Sequence, residues 1–82
     1  MITKYIVIKH PKYEHETFIM FPEYIPHKDF YQDYDVHGEI VSAGFVLLSG
    51  GEFICHGESV GLDVRSRPAE DAVLANEMFG RY

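Results

Sequence analysis

Gly57-Glu58-Ser59-Val60-Gly61 has the G-x-S-x-G spacing of a nucleophile elbow. In that motif a serine sits on a sharp turn between a strand and a helix, and its acid and histidine partners follow in the chain. Here no histidine follows Ser59, and Leu62-Asp63-Val64 does not open a helix. Ser59 therefore reads as a strand serine with a satisfied hydroxyl. Cys55 and His56 are adjacent. Successive strand residues point to opposite faces, so the two cannot make the contact that a cysteine–histidine catalytic pair needs. Cys55 reads as a small buried hydrophobe.

Metal chemistry is no better supported. The five histidines (His10, His15, His27, His37 and His56) include no pair three or four residues apart. His10 and His15 flank a loop beside Glu14 and Glu16 and could meet across it, but exposed loop histidines are the simpler expectation. Asp29, Asp33 and Asp35 lack the ligand order of a calcium loop. Ser49-Gly50-Gly51 lacks the lysine and helix of a phosphate loop. No cofactor and no metal are expected.

Two stretches keep functional interest. Arg65-Ser66-Arg67-Pro68 leads into a helix. Two guanidinium groups beside a helix N-terminus suit an anion. The competing and favoured expectation is that the arginines pair with Asp63, Glu70 or Asp71 while Ser66 or the Arg67 backbone helps to cap the helix. The second stretch, residues 23–37, places Tyr24, Phe30, Tyr31 and Tyr34 among Glu23, Asp29, Asp33 and Asp35. Aromatics anchor protein interfaces and acids steer toward basic partners. Phe30 and Tyr34, four residues apart, are expected to pack inward. Tyr24, Asp29, Tyr31, Asp33 and Asp35 are the candidate interaction surface.

These residues must be positioned by a small fold. A chain of 82 residues buries only about 60% of the surface its unfolded form exposes. The composition, 46% hydrophobic and 24% charged, is that of a folded domain and not of a disordered tail. One cysteine excludes an internal disulfide. No apolar run approaches the ~20 residues of a membrane helix, and residues 1–10 lack a signal peptide's apolar length and cleavage site, so the expected address is the cytoplasm. The net charge of −6 opposes phosphate neutralisation and so direct nucleic-acid binding. It is unevenly spread, with seven acids against Lys28 in residues 14–39.

Strands are expected at residues 4–10 and 17–21, an antiparallel hairpin rich in Ile, Val and Tyr. A short helix follows Pro26, with Gly38 as its exit. Residues 40–48 and 52–60 form a second hairpin around Gly50-Gly51. That register sets Leu48 opposite Phe53, Val46 opposite Cys55, Gly44 opposite Gly57 and Ser42 opposite Ser59 on one face. The other face carries Val41, Ala43, Phe45 and Leu47. Residues 68–79 form a helix, with Pro68 in its first turn, acids following and Gly80 as the stop. Its expected buried stripe is Ala69, Ala72, Ala75 or Asn76, and Phe79, broadened by Val73. The fold class is α+β: a four-stranded, mainly antiparallel sheet in ββ(α)ββα order with the C-terminal helix on one face, all in a single domain spanning 1–82.

Phe21-Pro22-Glu23, His27, Ser42-Ala43-Gly44-Phe45-Val46, Cys55-His56-Gly57-Glu58-Ser59 and Ser66-Arg67-Pro68-Ala69-Glu70-Asp71 together resemble a small uncharacterised family of short bacteriophage and proteobacterial proteins. The resemblance spans about residues 18–75. That family commonly carries Cys-Tyr-Gly where this chain has Cys55-His56-Gly57. It brings no assigned activity and transfers no catalytic residue. It implies a phage or prophage accessory protein.

The function expected is a non-enzymatic, acidic interaction protein that binds a host protein. One version is a defence-system inhibitor whose carboxylates stand where nucleic-acid phosphates would lie. The alternative is a small-ligand module with a polar pocket formed by His27, Ser42, Ser59, Arg65 and Arg67 near Gly44 and Gly57. A homodimer that protects the sheet edges is a third expectation, compatible with either.

Overall fold

The computed structural model describes residues 3–12, 15–33 and 38–80. The chain runs β1 (Thr3–Lys9), β2 (Glu16–Phe21), α1 (His27–Asp33), β3 (Glu39–Ser49), β4 (Glu52–His56), β5 (Glu58–Ser59), β6 (Val64–Arg65) and α2 (Pro68–Phe79). Four strands form one antiparallel sheet in the order β2-β1-β3-β4, and β5 and β6 form a second, two-stranded sheet. The α+β architecture expected from the sequence is the one observed, and α2 spans the expected residues.

Alternation along β1 assigns the two faces of the sheet. Tyr5 and Val7 face α2, with Phe18, Val46, Cys55 and Ala75 completing that cluster. Tyr5 stacks on Phe18 at 4.5 Å. Ile6 and Ile8 face the other way, into a second cluster with Phe21 and Ala43 that α1 covers through Phe30. Phe30 lies flat on Phe21, ring centroids 4.1 Å apart. Phe30 therefore packs inward as expected, while Tyr34 lies outside the described residues. Both faces of the sheet are thus covered, and β1, at its centre, has four consecutive buried residues, Tyr5 to Ile8.

Three local expectations are corrected. Val7 pairs with Ser42 but Ile8 pairs with Ile40, so Val41 is the extra residue of a β-bulge. A bulge turns consecutive side chains to one side, and Val41 packs on the α2 cluster, not on the face of Ala43 and Phe45. The second correction concerns β4. Its ladder matches the expected register at Leu48–Phe53 and Val46–Cys55 and stops at His56. Gly57 has φ of +83°, a conformation that turns the chain out of the sheet. The Gly44–Gly57 and Ser42–Ser59 pairings therefore do not form. Ser59 pairs with Val64 in the small sheet instead, and Ser66 holds the Gly57 carbonyl through its N–H at 3.0 Å and its Oγ at 2.7 Å.

The third correction is the buried stripe of α2. Asp71 and Ala75 are its buried residues, Ala72, Leu74 and Asn76 are half-buried, and Ala69, Val73 and Phe79 are exposed. An aspartate at the centre of a packing face is not an apolar pattern, so periodicity alone misplaces the stripe. The helix also attends to both sheet edges. The Phe53 N–H of β4 donates to Asn76 Oδ1 at 3.1 Å, and the Phe18 N–H of β2 donates to Met78 Sδ at 3.5 Å. Those two donors are no longer free to pair with another strand.

Gly44 marks a close approach of β3 to the end of β4. A Cβ there would stand 2.5 Å from the His56 carbonyl oxygen, a backbone atom that cannot swing aside. Gly44→Ala is expected to lower stability by about 1–3 kcal/mol through overpacking, read as a shift of the urea midpoint at constant slope.

Candidate functional site

The polar groups of the molecule gather at two places, one on each face of the sheet. On the α2 side the centre is Asp71, which is fully buried. Its Oδ2 accepts from the Tyr5 hydroxyl at 2.5 Å and from the Arg67 N–H at 2.8 Å. Its Oδ1 accepts from Ser42 Oγ at 2.9 Å and from Arg67 Nε at 3.1 Å. Arg67 turns the rest of its guanidinium to Glu16 of β2, with Nη2–Oε1 at 2.8 Å and Nη1–Oε2 at 3.2 Å. Such a fork matches a carboxylate in two parallel bonds. The Glu16 bonds hold Arg67 above the ordinary guanidinium range, with Asp71 adding to them. Burial and the Asp71 bond raise Tyr5 above the ordinary tyrosine range, so it stays a neutral donor. Cys55 lies beside this network, and burial, then Asp71, push its thiol up to about 11. A thiol of that kind is not a nucleophile at neutral pH. Every strong acceptor and donor here has a protein partner, and the arrangement is structural.

On the opposite face the register aligns Phe21, Lys4, Phe45 and His56 side by side across all four strands. His27, at the start of α1, stands edge-on to Phe21 and Phe45 at 5.3 and 5.7 Å. It is buried and donates from Nε2 to the Gly44 carbonyl at 2.9 Å. Burial holds its imidazole below the ordinary value of 6.5, and the Lys4 ammonium acts in the same direction. Between His27 and the loop joining β5 to β6 lies an open cleft of about 270 Å³. Lys4 and Phe45 line it from the sheet, His27 and Lys28 from α1, Ser59 from the end of β5 and Val60 from the loop.

The residues singled out from the sequence are divided by this geometry. His27 and Ser59 share the cleft. Ser42 and Arg67 are on the other side of the sheet, committed to Asp71. Arg65 is 87% exposed and its nearest carboxylate is Glu58 at 3.9 Å. The five therefore do not converge into one pocket, because the chain leaves the sheet at Gly57. Ser59 is buried in a strand–turn–strand unit, without the helix of a nucleophile elbow, and its Oγ accepts from the Leu62 N–H at 3.3 Å. Cys55 and His56 take opposite faces as expected, one buried and one exposed. Among the described residues no group of three metal-ligating side chains forms. Of the acidic surface, Tyr24 and Asp29 are exposed. Tyr31 and Asp33 lie in α1 with side chains outside what is described, and Asp35 lies outside the described residues.

Sequence reasoning anticipated the pairing of Arg67 with Asp71 and Glu70, which forms at 2.9 and 3.7 Å, and missed Lys4, Phe45, Tyr5 and Glu16 as members of polar sites. One signal was available: Lys4 interrupts an otherwise apolar alternation with Ile6 and Ile8.

Asp71→Ala leaves the Tyr5 and Ser42 hydroxyls without their acceptor and removes one of the carboxylates facing Arg67. It is expected to cost about 3 kcal/mol or more, and Tyr5→Phe about 1–2 kcal/mol, both measured by urea denaturation. His27 gives a pH signature. Its pKa is lowered on folding, so the unfolded chain binds the proton more readily, and stability present above about pH 6.5 declines as pH falls below it. Between pH 7.5 and 5.5 the wild type should lose more stability than His27→Gln.

No helix among the described residues is long and apolar enough to cross a membrane. Comparison with protein-family models, with curated proteins and with solved structures finds no match in any of the three.

Proposed function

We propose that this chain is a non-enzymatic interaction protein that docks on a partner protein through the segment running from the β2–α1 turn into α1. The observation that carries this reading is Tyr24. Its side chain is 81% exposed, while the aromatic residues on either side, Phe21 and Phe30, are used in packing. A large ring left in water beside carboxylates is the composition of an interface anchor with a charged surround. Glu23 and Asp29 are both exposed, and neither forms an ion pair with another described residue. The turn that presents Tyr24 is closed by the Ile25 N–H on the Pro22 carbonyl at 3.1 Å, so little order is lost on docking.

The groups that could do covalent chemistry support the same reading by being occupied. Cys55 is buried with a raised pKa, Ser59 accepts a backbone bond, and Asp71 is enclosed by four donors. The family resemblance adds the context of a phage or prophage accessory protein acting in the cytoplasm of a bacterial host. A partner among host defence proteins, met by carboxylates at a nucleic-acid-binding surface, fits the acidic charge.

Capture of the tagged protein's partners from host lysate at low and moderate salt tests the reading. A stoichiometric partner is expected, held less well at higher salt because the exposed acids are screened. Replacing Tyr24 by Ala together with Asp29 by Asn should reduce its recovery by about tenfold or more. Equal recovery with the double variant would place the docking surface elsewhere.

A further inference from the structure

We infer that the cleft between α1 and the β5–β6 loop binds a small organic oxyanion, a carboxylate or phosphate group on a flat apolar body, with Lys4 as its charge partner. Lys4 is the reason. It occupies a central strand, half-buried, on a face otherwise made of Ile6, Ile8 and aromatic rings. An ammonium has three hydrogens to donate. One of them reaches the Ile25 carbonyl at 3.1 Å. No carboxylate among the described residues lies within ion-pair distance of it. A partly buried charge without a counterion is costly, and here that charge lines an open cleft.

The surroundings select the ligand's form. Lys28 adds a second positive charge to the lining, and Gly61 faces it closely enough that a Cβ there would stand 3.5 Å from the Lys28 Cβ. Phe45 and Val60, the latter 82% exposed, offer apolar contact. His27 is held neutral and spent on the Gly44 carbonyl, so it contributes a wall and not a charge. The volume, about 270 Å³, lies just below the usual range for small-molecule sites, so the occupant is compact. Glu58 is the one acid on the lining, and it sits 3.9 Å from Arg65. This site adjoins the Tyr24 surface, sharing Pro26, His27 and Lys28 of the same segment, but binding of a small anion does not require the partner protein.

Amide-shift titration of the full-length protein tests the inference. Benzoate and phenyl phosphate are the probes, with benzyl alcohol and benzylamine as the neutral and cationic controls. Saturable shifts are expected at Gly44, Phe45, Ser59 and Gly61 with the two anions and not with the controls, and the tighter of the two identifies the oxyanion as carboxylate or phosphate. Lys4→Met keeps the packing stem and should weaken binding by about tenfold or more, the worth of one charge-assisted bond. Val60→Glu, a change at an exposed rim position, should weaken binding without touching the core, and Glu58→Gln should strengthen it. Absence of saturable shifts with either anion overturns the inference. So does equal binding of benzyl alcohol, or binding that is indifferent to both Lys4→Met and Val60→Glu.

Discussion

A single carboxylate sets how the two halves of this protein meet. Asp71 is buried against the sheet and draws bonds from β1 through Tyr5, from β3 through Ser42 and from the start of its own helix through Arg67. Arg67 then carries the connection to β2 through Glu16. Burying a charge is expensive, and only complete pairing makes it tolerable. Each of these bonds has one geometry, so together they fix the position and rotation of α2 on the sheet more narrowly than apolar contact would. Leu74, Ala75 and Phe53 then pack in the places that this anchor leaves them.

Gly57 is the second constraint. Had the chain continued as a strand, Ser59 would have faced Ser42 and the second hairpin would have been long and flat. The left-handed turn at Gly57 sends residues 58–65 out to form a small sheet of their own, and Ser66 ties its base back to the Gly57 carbonyl. That departure creates the cleft. Its floor is the Lys4 and Phe45 row, which a longer β4 would have left as open sheet surface.

The two faces consequently differ in what they can do. The α2 face concentrates the tyrosine, cysteine, arginine and aspartate that resemble chemical equipment, closes the tyrosine, arginine and aspartate in mutual bonds and buries the cysteine beside them. The α1 face is less crowded and holds the half-buried lysine without a carboxylate and the exposed tyrosine. The proposed interaction surface and ligand site both lie on the second face, where polar groups still have capacity for a partner, whereas the first has spent its capacity on stability.

Much of the architecture was legible from local pattern. The β-rich runs, the Gly50-Gly51 turn and the Pro68-to-Gly80 helix are each specified by residues close in sequence, and the alternation rule separated Cys55 from His56 correctly. The register of β3 on β4 near the turn followed from turn geometry for the same reason. What the sequence could not decide depends on residues far apart. The α2 stripe is centred on Asp71 because Tyr5 and Ser42, 66 and 29 residues away, meet it. Val41 changes sides because of a bulge set by pairing with β1. His27 and Ser59 part from Ser42 and Arg67 because a glycine at 57 takes one of its permitted conformations and not another. Local propensity is written in a few neighbouring side chains. The satisfaction of a buried charge, the exit from a ladder and the sharing of a cleft are properties of the packed whole, and only the tertiary structure chooses among them.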